Sequence, residues 1–200
     1  MSQSAVKQDR KGTRAHILSA ARQELIDGNG DLEVAKVARR AGVSAGLTYY
    51  HFDNKSGLLN ALVSDHCAAM DDQILAVPFA GATWAEREKA RVYCMVEYFY
   101  SDPVALLIAT RLRTDPAFAA EEAERNRRTN LMGARNIAQA QRDGEIDPAR
   151  DPLLLVSMIL AGVTEGVRTA LSTQPPKPLA VAQAEIWTYV AMAAGVTIVR

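Results

Sequence analysis

Apolar residues recur along most of the chain at spacings of three and four, the period of an α-helix, and no segment alternates convincingly like a half-buried strand. Ile17, Leu18, Ala21 and Leu25 give a first helix one apolar face, which stops at the breaker Asp27-Gly28-Asn29-Gly30. Val34, Val37, Ala38 and Ala41 follow the i, i+3, i+4, i+7 pattern of a short second helix. Gly42 permits a sharp turn, and the Ser44 hydroxyl is placed to cap a third short helix. Asp53 or Asn54 caps a fourth helix expected to run to about Val77. Thr83 and Glu86 make a capping box that opens the fifth. Four Asp-Pro pairs follow, at 102–103, 115–116, 147–148 and 151–152. Asp at N-cap with Pro at N1 is a favourable helix start. These pairs delimit helices near 103–113, 116–142 and 151–173. "STQPPKPLA" breaks the chain once more, before a last helix from about Leu179 to Val199. The pattern predicts an all-α fold of about nine helices, with a three-helix head over 1–53 and a longer helical body over 54–200.

Composition adds little until it is divided along the chain. A 200-residue sequence that is 48% hydrophobic and 23% charged has an ordinary globular mix and can bury a sizeable core. Its formal net charge of zero hides an asymmetry: residues 1–60 carry nine Lys/Arg against six Asp/Glu, and residues 61–200 carry fourteen against seventeen. The head alone therefore has the sign for an anionic partner. Two cysteines, Cys67 and Cys94, make no disulfide or metal framework and are expected as reduced thiols. The N-terminus is polar, without the pattern of a signal peptide. The apolar runs "PLLLVSMILAGV" and "IWTYVAMAAGVTIV" fall short of the ~20 residues that span a bilayer, so a soluble, cytoplasmic protein is expected.

The chemistry of the head lies in "AGVSAGLTYYHFDNKSGLL", residues 41–59, where three of the twelve aromatic residues fall between Tyr49 and Phe52. Two short helices joined by a tight glycine turn, after a longer supporting helix, describe a helix-turn-helix, whose second helix enters the major groove of DNA. At helical spacing Ala45, Gly46, Tyr49 and Tyr50 share one face, and Ser44, Thr48 and His51 share another. Gly46 lets another molecule approach the backbone closely. Tyr49 and Tyr50 offer hydroxyls to phosphate and rings to sugar or a thymine methyl. Lys55 stands in the first turn of the next helix, where its ammonium and the free amides can hold one phosphate.

Residues 13–62 resemble the DNA-binding domain of the tetracycline-repressor (TetR) family of bacterial transcriptional regulators. The pieces that carry the resemblance are "ILSAA", "VAKVARRAGVSAGLTYYHF" and "NKSGLLNAL". It implies that Ser44, Tyr49, Tyr50, His51 and Lys55 hold the phosphate backbone, and that Ala45, Gly46 and Leu47 face bases. It also implies that Phe52 is a buried anchor and that Thr48 packs inward. Two positions depart from the family pattern. Ala45 stands where Lys is frequent, and Leu32 stands where a Thr usually starts the second helix, leaving Asp31 to cap it. Each change removes a plausible phosphate contact, which would lower affinity or make its salt dependence shallower.

The last two long helices are unusually apolar. On the final one, Ala182, Ile186, Tyr189, Val190 and Ala193 form one stripe, and Trp187, Ala191, Ala194 and Ile198 a second. Two stripes need burial on two sides, which a monomer could supply internally or a twin subunit could supply from outside. Ala161, Gly162 and Gly166 would allow close helix approach. The resemblance implies a homodimer through residues 151–199. A second aromatic cluster, "VYCMVEYFY", lies in the middle helices. Polar Arg111, Asn130, Asn136, Gln139, Glu165 and Arg168 occur on core-like helices. Apolar walls with a few polar groups suit a small-molecule site, for which Tyr93, Glu97 and Glu165 are the candidates.

The resemblance implies a repressor released from a palindromic DNA operator by a small-molecule effector, with no cofactor. No catalytic Ser/His/Asp order, phosphate loop or metal-ligand spacing supports an enzyme; His66-Cys67 with Asp71 and Asp72 reads as a solvated helix face. A helix-turn-helix used only for protein contact and a small all-α enzyme are the alternatives.

Overall fold

The computed structural model describes residues 3–110 and 116–197, with side chains over 11–108 and 122–197. Arg111, Asp115 and Ile198 lie outside those residues. The described residues form nine helices and no strand: α1 (Gln3–Asp27), α2 (Val34–Arg40), α3 (Ala45–Phe52), α4 (Lys55–Ile74), α5 (Trp84–Ser101), α6 (Pro103–Thr110), α7 (Pro116–Arg142), α8 (Pro152–Ser172) and α9 (Leu179–Ala194).

The helix starts follow the local chemistry of the sequence. Asn54 caps α4, its Oδ1 accepting from the Gly57 amide at 2.8 Å. Thr83 and Glu86 close both arms of the capping box on α5. Asp151 caps α8 by accepting from the Leu154 amide at 2.7 Å, with Pro152 in the first turn. Asp147-Pro148 forms a turn between α7 and α8, in which the Asp147 carboxylate accepts from the Ala149 amide at 2.9 Å.

Three expectations about helix ends change. Helix α2 begins at Val34 with Glu33 as N-cap and no side-chain cap, so Asp31 does not cap it; the Asp31 amide instead donates to the Gly28 carbonyl within the preceding turn. Helix α4 ends at Ile74 rather than near Val77, because the Leu75 and Ala76 amides both fold back on the Asp71 carbonyl ahead of Pro78. Helix α9 ends at Ala194 rather than near Val199, where Gly195 takes a left-handed φ of 74°.

The chain divides into two compact units, Met1–Ala69 with Pro103–Phe118, and Met70–Asp102 with Ala119–Arg200. The first therefore extends beyond residue 53. Ile17, Ala21 and Leu25 of α1, Val37 of α2 and Phe52 of α3 share one core with Leu58 and Leu62 of α4 and Val104 of α6. The first helices bury the same residues that made their apolar faces in the sequence.

In the second unit α9 packs against both α5 and α8. Its core joins Trp84, Val92 and Val96 of α5 to Ile137 and Ala140 of α7 and to one full face each of α8 and α9. The close approach of α8 and α9 depends on Gly162: a Cβ there would sit 2.3 Å from the Tyr189 hydroxyl oxygen, which donates to the Met158 carbonyl at 2.9 Å. Gly162 and Gly166 thus serve packing within one chain, whereas Ala161 is exposed.

The two stripes expected on α9 are both largely consumed in this way. Ala182, Ile186 and Val190 are buried, and so are Trp187, Ala191 and Ala194. Neither stripe is the face left over for a twin subunit, because α5 and α8 cover them from two sides. A third apolar face stays uncovered, with Leu154 60% and Met158 48% exposed on α8, and Val181 47% and Met192 72% on α9. Helix α8 is, among the described residues, the one helix long and apolar enough to cross a membrane; the shorter run in the sequence is extended here past Glu165 and Arg168. Leu155, Ile159, Val163 and Val167 place it in the core of the second unit.

Candidate nucleic-acid interface

The interface is assembled around a turn that only a few residues could make. After α2 the chain turns through Ala41–Ser44, with Gly42 at φ +63°, a conformation that glycine adopts without steric cost. The Val43 amide reaches back to the Ala38 carbonyl at 3.0 Å, and the Ser44 hydroxyl accepts from the Leu47 amide at 3.1 Å. The turn and the first turn of α3 are therefore fixed by local bonds before any ligand binds.

Phe52 and Thr48 anchor α3 inward; they are 4% and 1% exposed, and the Thr48 hydroxyl donates to the Ser44 carbonyl at 3.4 Å. Ala45, Gly46, Tyr49 and Tyr50 then face solvent, with Tyr49 46% and Tyr50 63% exposed. Such exposure of two aromatic rings on eight residues of helix answers whether this cluster fills a core: Phe52 does, and the tyrosines present a surface. Leu47 and His51 are half-buried at the margins, and the His51 ring meets Tyr50 edge-on at 5.6 Å between centroids. Nothing in the chain crowds Gly46. A Cβ there would find only the Ser44 oxygen, at 3.8 Å, so the bare backbone is open to a partner.

Lys55 is exposed at the first position of α4. The first turn of any helix leaves amides without intrahelical partners, and here Asn54 takes the one from Gly57. An anion beside Lys55 would meet both an ammonium and the positive end of the helix. The remaining predicted contact, Ser44, is exposed, and its cap uses the oxygen only as an acceptor, which leaves the O–H to donate outward.

A charge cluster holds α2 on α1. Arg40 Nη2 lies 2.5 Å from Asp27 and 3.6 Å from Glu24, and Lys36 lies 2.8 Å from Glu33 and 3.9 Å from the same Glu24. A hydrogen bond from Gln23, with the charge and hydrogen bond of Arg40, holds the Asp27 carboxyl below its ordinary range against the desolvation that raises it. Lys36 is shifted upward by its hydrogen bond and charge contact with Glu33. Two of the head's cations are thus engaged in structure, and the surface available to an anion centres on α3 and the start of α4.

The body candidates are placed differently from one another. Tyr93 is half-buried against the core, with Lys89 5.7 Å over its ring and its carbonyl accepting from Gln183 at 3.1 Å. Glu97 and Glu165 are exposed, and Glu165 pairs with Arg168 on the surface of α8, so neither carboxylate is enclosed by apolar walls. The sequence reading missed Glu88. This carboxylate accepts from Arg91 at 3.1 Å and from Asn136 of α7 at 2.8 Å, while Arg91 also donates to the Ile74 carbonyl at the C-terminal end of α4, at 2.9 Å. The spacing of Glu88 and Arg91, three apart on one helix, was its only signal. Among the described residues no group of three His, Cys, Asp or Glu side chains is placed to hold a metal ion, and Asp71 pairs with Arg125 at 2.7 Å.

An all-helical chain whose turn, exposed recognition helix and cationic helix start have this geometry defines a helix-turn-helix DNA-binding regulator. Residues 17–62 match the family model of bacterial regulatory proteins of the tetR family. The chain is 29% identical over 168 residues to the HTH-type transcriptional regulator BetI of Cronobacter sakazakii, covering 81% of each chain. Its fold is that of a TetR-family transcriptional regulator from Pectobacterium atrosepticum, at 20% identity and a TM-score of 0.75 over 100% of this chain and 99% of the other. It is likewise that of the regulator FadR from Bacillus subtilis solved in complex with stearoyl-CoA, at 19% identity and a TM-score of 0.73 over 92% of this chain and 99% of that one. Over residues 17–62 the chain matches the TetR family, and over most of its length it is similar to a transcriptional regulator.

Proposed function

We propose that this regulator is a homodimeric repressor that grips a two-fold symmetric DNA operator with one α3 per half-site and lets go when a small, largely apolar molecule binds the second unit. It acts by binding and not by catalysis, in the cytoplasm, where bacterial DNA is. The observation that carries the reading is the exposed face of α3, Gly46, Tyr49 and Tyr50, beside the exposed Lys55 at the start of α4. Phosphate contacts from Ser44, Tyr49, Tyr50, His51 and Lys55 set register, and Ala45, Gly46 and Leu47 meet base edges.

The uncovered apolar face on α8 and α9 supports a twin subunit as its cover, within the residues 151–199 expected for the interface. The apolar character of the effector is supported by Tyr93, Met95 and Phe99, which are partly buried against the core of the second unit. A structural relative, FadR, was solved with stearoyl-CoA bound. Stearate, the apolar acyl part of that ligand, is accordingly the first probe. Fluorescence anisotropy of a labelled duplex tests the whole reading: the protein should bind DNA with an affinity that falls steeply with salt, and a saturating effector should release it. Absence of DNA binding at 50 mM salt would remove the reading.

A further inference from the structure

Phe52 is not simply a buried plug. It joins three helices at one corner of the first unit. Its carbonyl accepts from the Asn54 amide at 2.6 Å, and a Cβ at Gly57 would sit 2.1 Å from the same oxygen, so the first turn of α4 is pressed against the end of α3. The other side of the residue faces α1. There the Arg14 guanidinium lies 5.2 Å from the Phe52 ring centroid. Arg14 is exposed, and among the described residues no carboxylate pairs with it. Lys11, one turn earlier on α1, is exposed as well. By contrast Lys36 and Arg40, the cations of α2, are held by Glu33, Asp27 and Glu24.

Resting on the DNA-binding reading above, we propose that Arg14 is a further phosphate-contacting residue, which carries the DNA surface from α3 and Lys55 onto α1. Stacking on an aromatic face uses the flat side of a guanidinium and leaves its edge N–H donors in the plane of the group. The attraction of the ring for the guanidinium thus holds Arg14 at this corner without consuming its hydrogen-bonding capacity. That capacity suits a phosphate, whose two oxygens match two parallel N–H groups. The Phe52 carbonyl meanwhile accepts from the Asn54 amide just ahead of Lys55, so one residue touches the setting of both cations, through its ring on one side and its backbone on the other. Arg14 contributes no base contact, so it acts on all sequences alike.

The test uses the full-length protein and a non-operator duplex, with affinity measured between 50 and 200 mM salt. Each phosphate neutralised on duplex DNA contributes about 0.9 to the slope of log affinity against log salt. Arg14→Met keeps an apolar stem on Phe52 and removes the charge; Arg14→Lys keeps the charge. The proposal expects Arg14→Met to lose about one unit of slope with an unchanged melting temperature, and Arg14→Lys to retain the slope. A full wild-type slope in Arg14→Met overturns it. Lys55→Ala, measured in parallel, separates the two claims. If Lys55→Ala loses slope and Arg14→Met does not, only the role of Arg14 fails; if the wild-type protein shows no salt-dependent binding, the DNA-binding reading itself fails.

Discussion

At the scale of the residue, the proposed DNA surface of the head contains groups that would hold phosphate and groups that would read bases. Lys55→Ala should weaken binding to every sequence alike and reduce the salt slope by about one unit, measured by anisotropy over a salt series. A changed base preference with an intact slope would reverse that assignment. Gly46 gives a sharper test, because stability and binding should move in opposite directions. Alanine is favoured over glycine inside a helix by about 0.5–1 kcal/mol, and the open space around position 46 accepts the methyl, so Gly46→Ala should raise the melting temperature. On the proposed docking the same methyl would stand between α3 and the groove, and it should weaken DNA binding by about tenfold, or about 1.4 kcal/mol. Unchanged DNA affinity would move the contact face away from Gly46. The turn, the Ser44 cap and the exposed face of α3 were legible in the string from Ala41 to Leu59, since glycine turn, serine cap and aromatic spacing are all local. The tie of Phe52 to Arg14 was not, since it joins positions 14 and 52 and no periodicity reports it.

At the scale of the element, the lesson is about faces. Helix α9 showed two apolar stripes in sequence, and counting stripes did not reveal that α5 and α8 would take both. The face exposed instead is spread over two helices, with Leu154 and Met158 on one and Val181 and Met192 on the other, so no single helical pattern displays it. Caps at Ser44, Asn54, Thr83 and Asp151 were legible because an N-cap needs only its own residue and the next turn. Helix ends were less so, since the ends of α4 and α9 depend on how amides fold back or on a left-handed residue. The dimer prediction moves accordingly to Met192→Arg, which places a charge in the proposed interface and should shift the protein to monomer in sedimentation at micromolar concentration. An unaltered dimer would place the interface elsewhere. Gly162→Ala tests the packing inside one chain: the methyl would overlap the Tyr189 ring, and a loss of about 1–3 kcal/mol in denaturant unfolding is expected. An unchanged midpoint would mean that Tyr189 swings away at no cost.

At the scale of the whole molecule, α4 begins at Lys55 beside the recognition helix and ends at Ile74, where Arg91 holds its last carbonyl. An effector that favours one position of that end would act on DNA through its differential affinity for the two states, typically about 1–3 kcal/mol of coupling. Linkage makes the effect reciprocal, so saturating operator must weaken the effector by the same factor in calorimetry; equal effector affinity with and without operator would leave a DNA-binding protein without that switch. The central claim, that a dimer reads DNA through two copies of α3, has a more direct test in selection from random-sequence duplexes, followed by sequencing of the bound fraction. Two recognition helices on one face of B-DNA require half-site centres about 10–10.5 base pairs apart, or a multiple of that. The selected duplexes should converge on two inverted half-sites with that spacing, and Gly46→Ala should enrich them less strongly. Selected pools without a repeated half-site, or with the same sites enriched equally by Gly46→Ala, would contradict this.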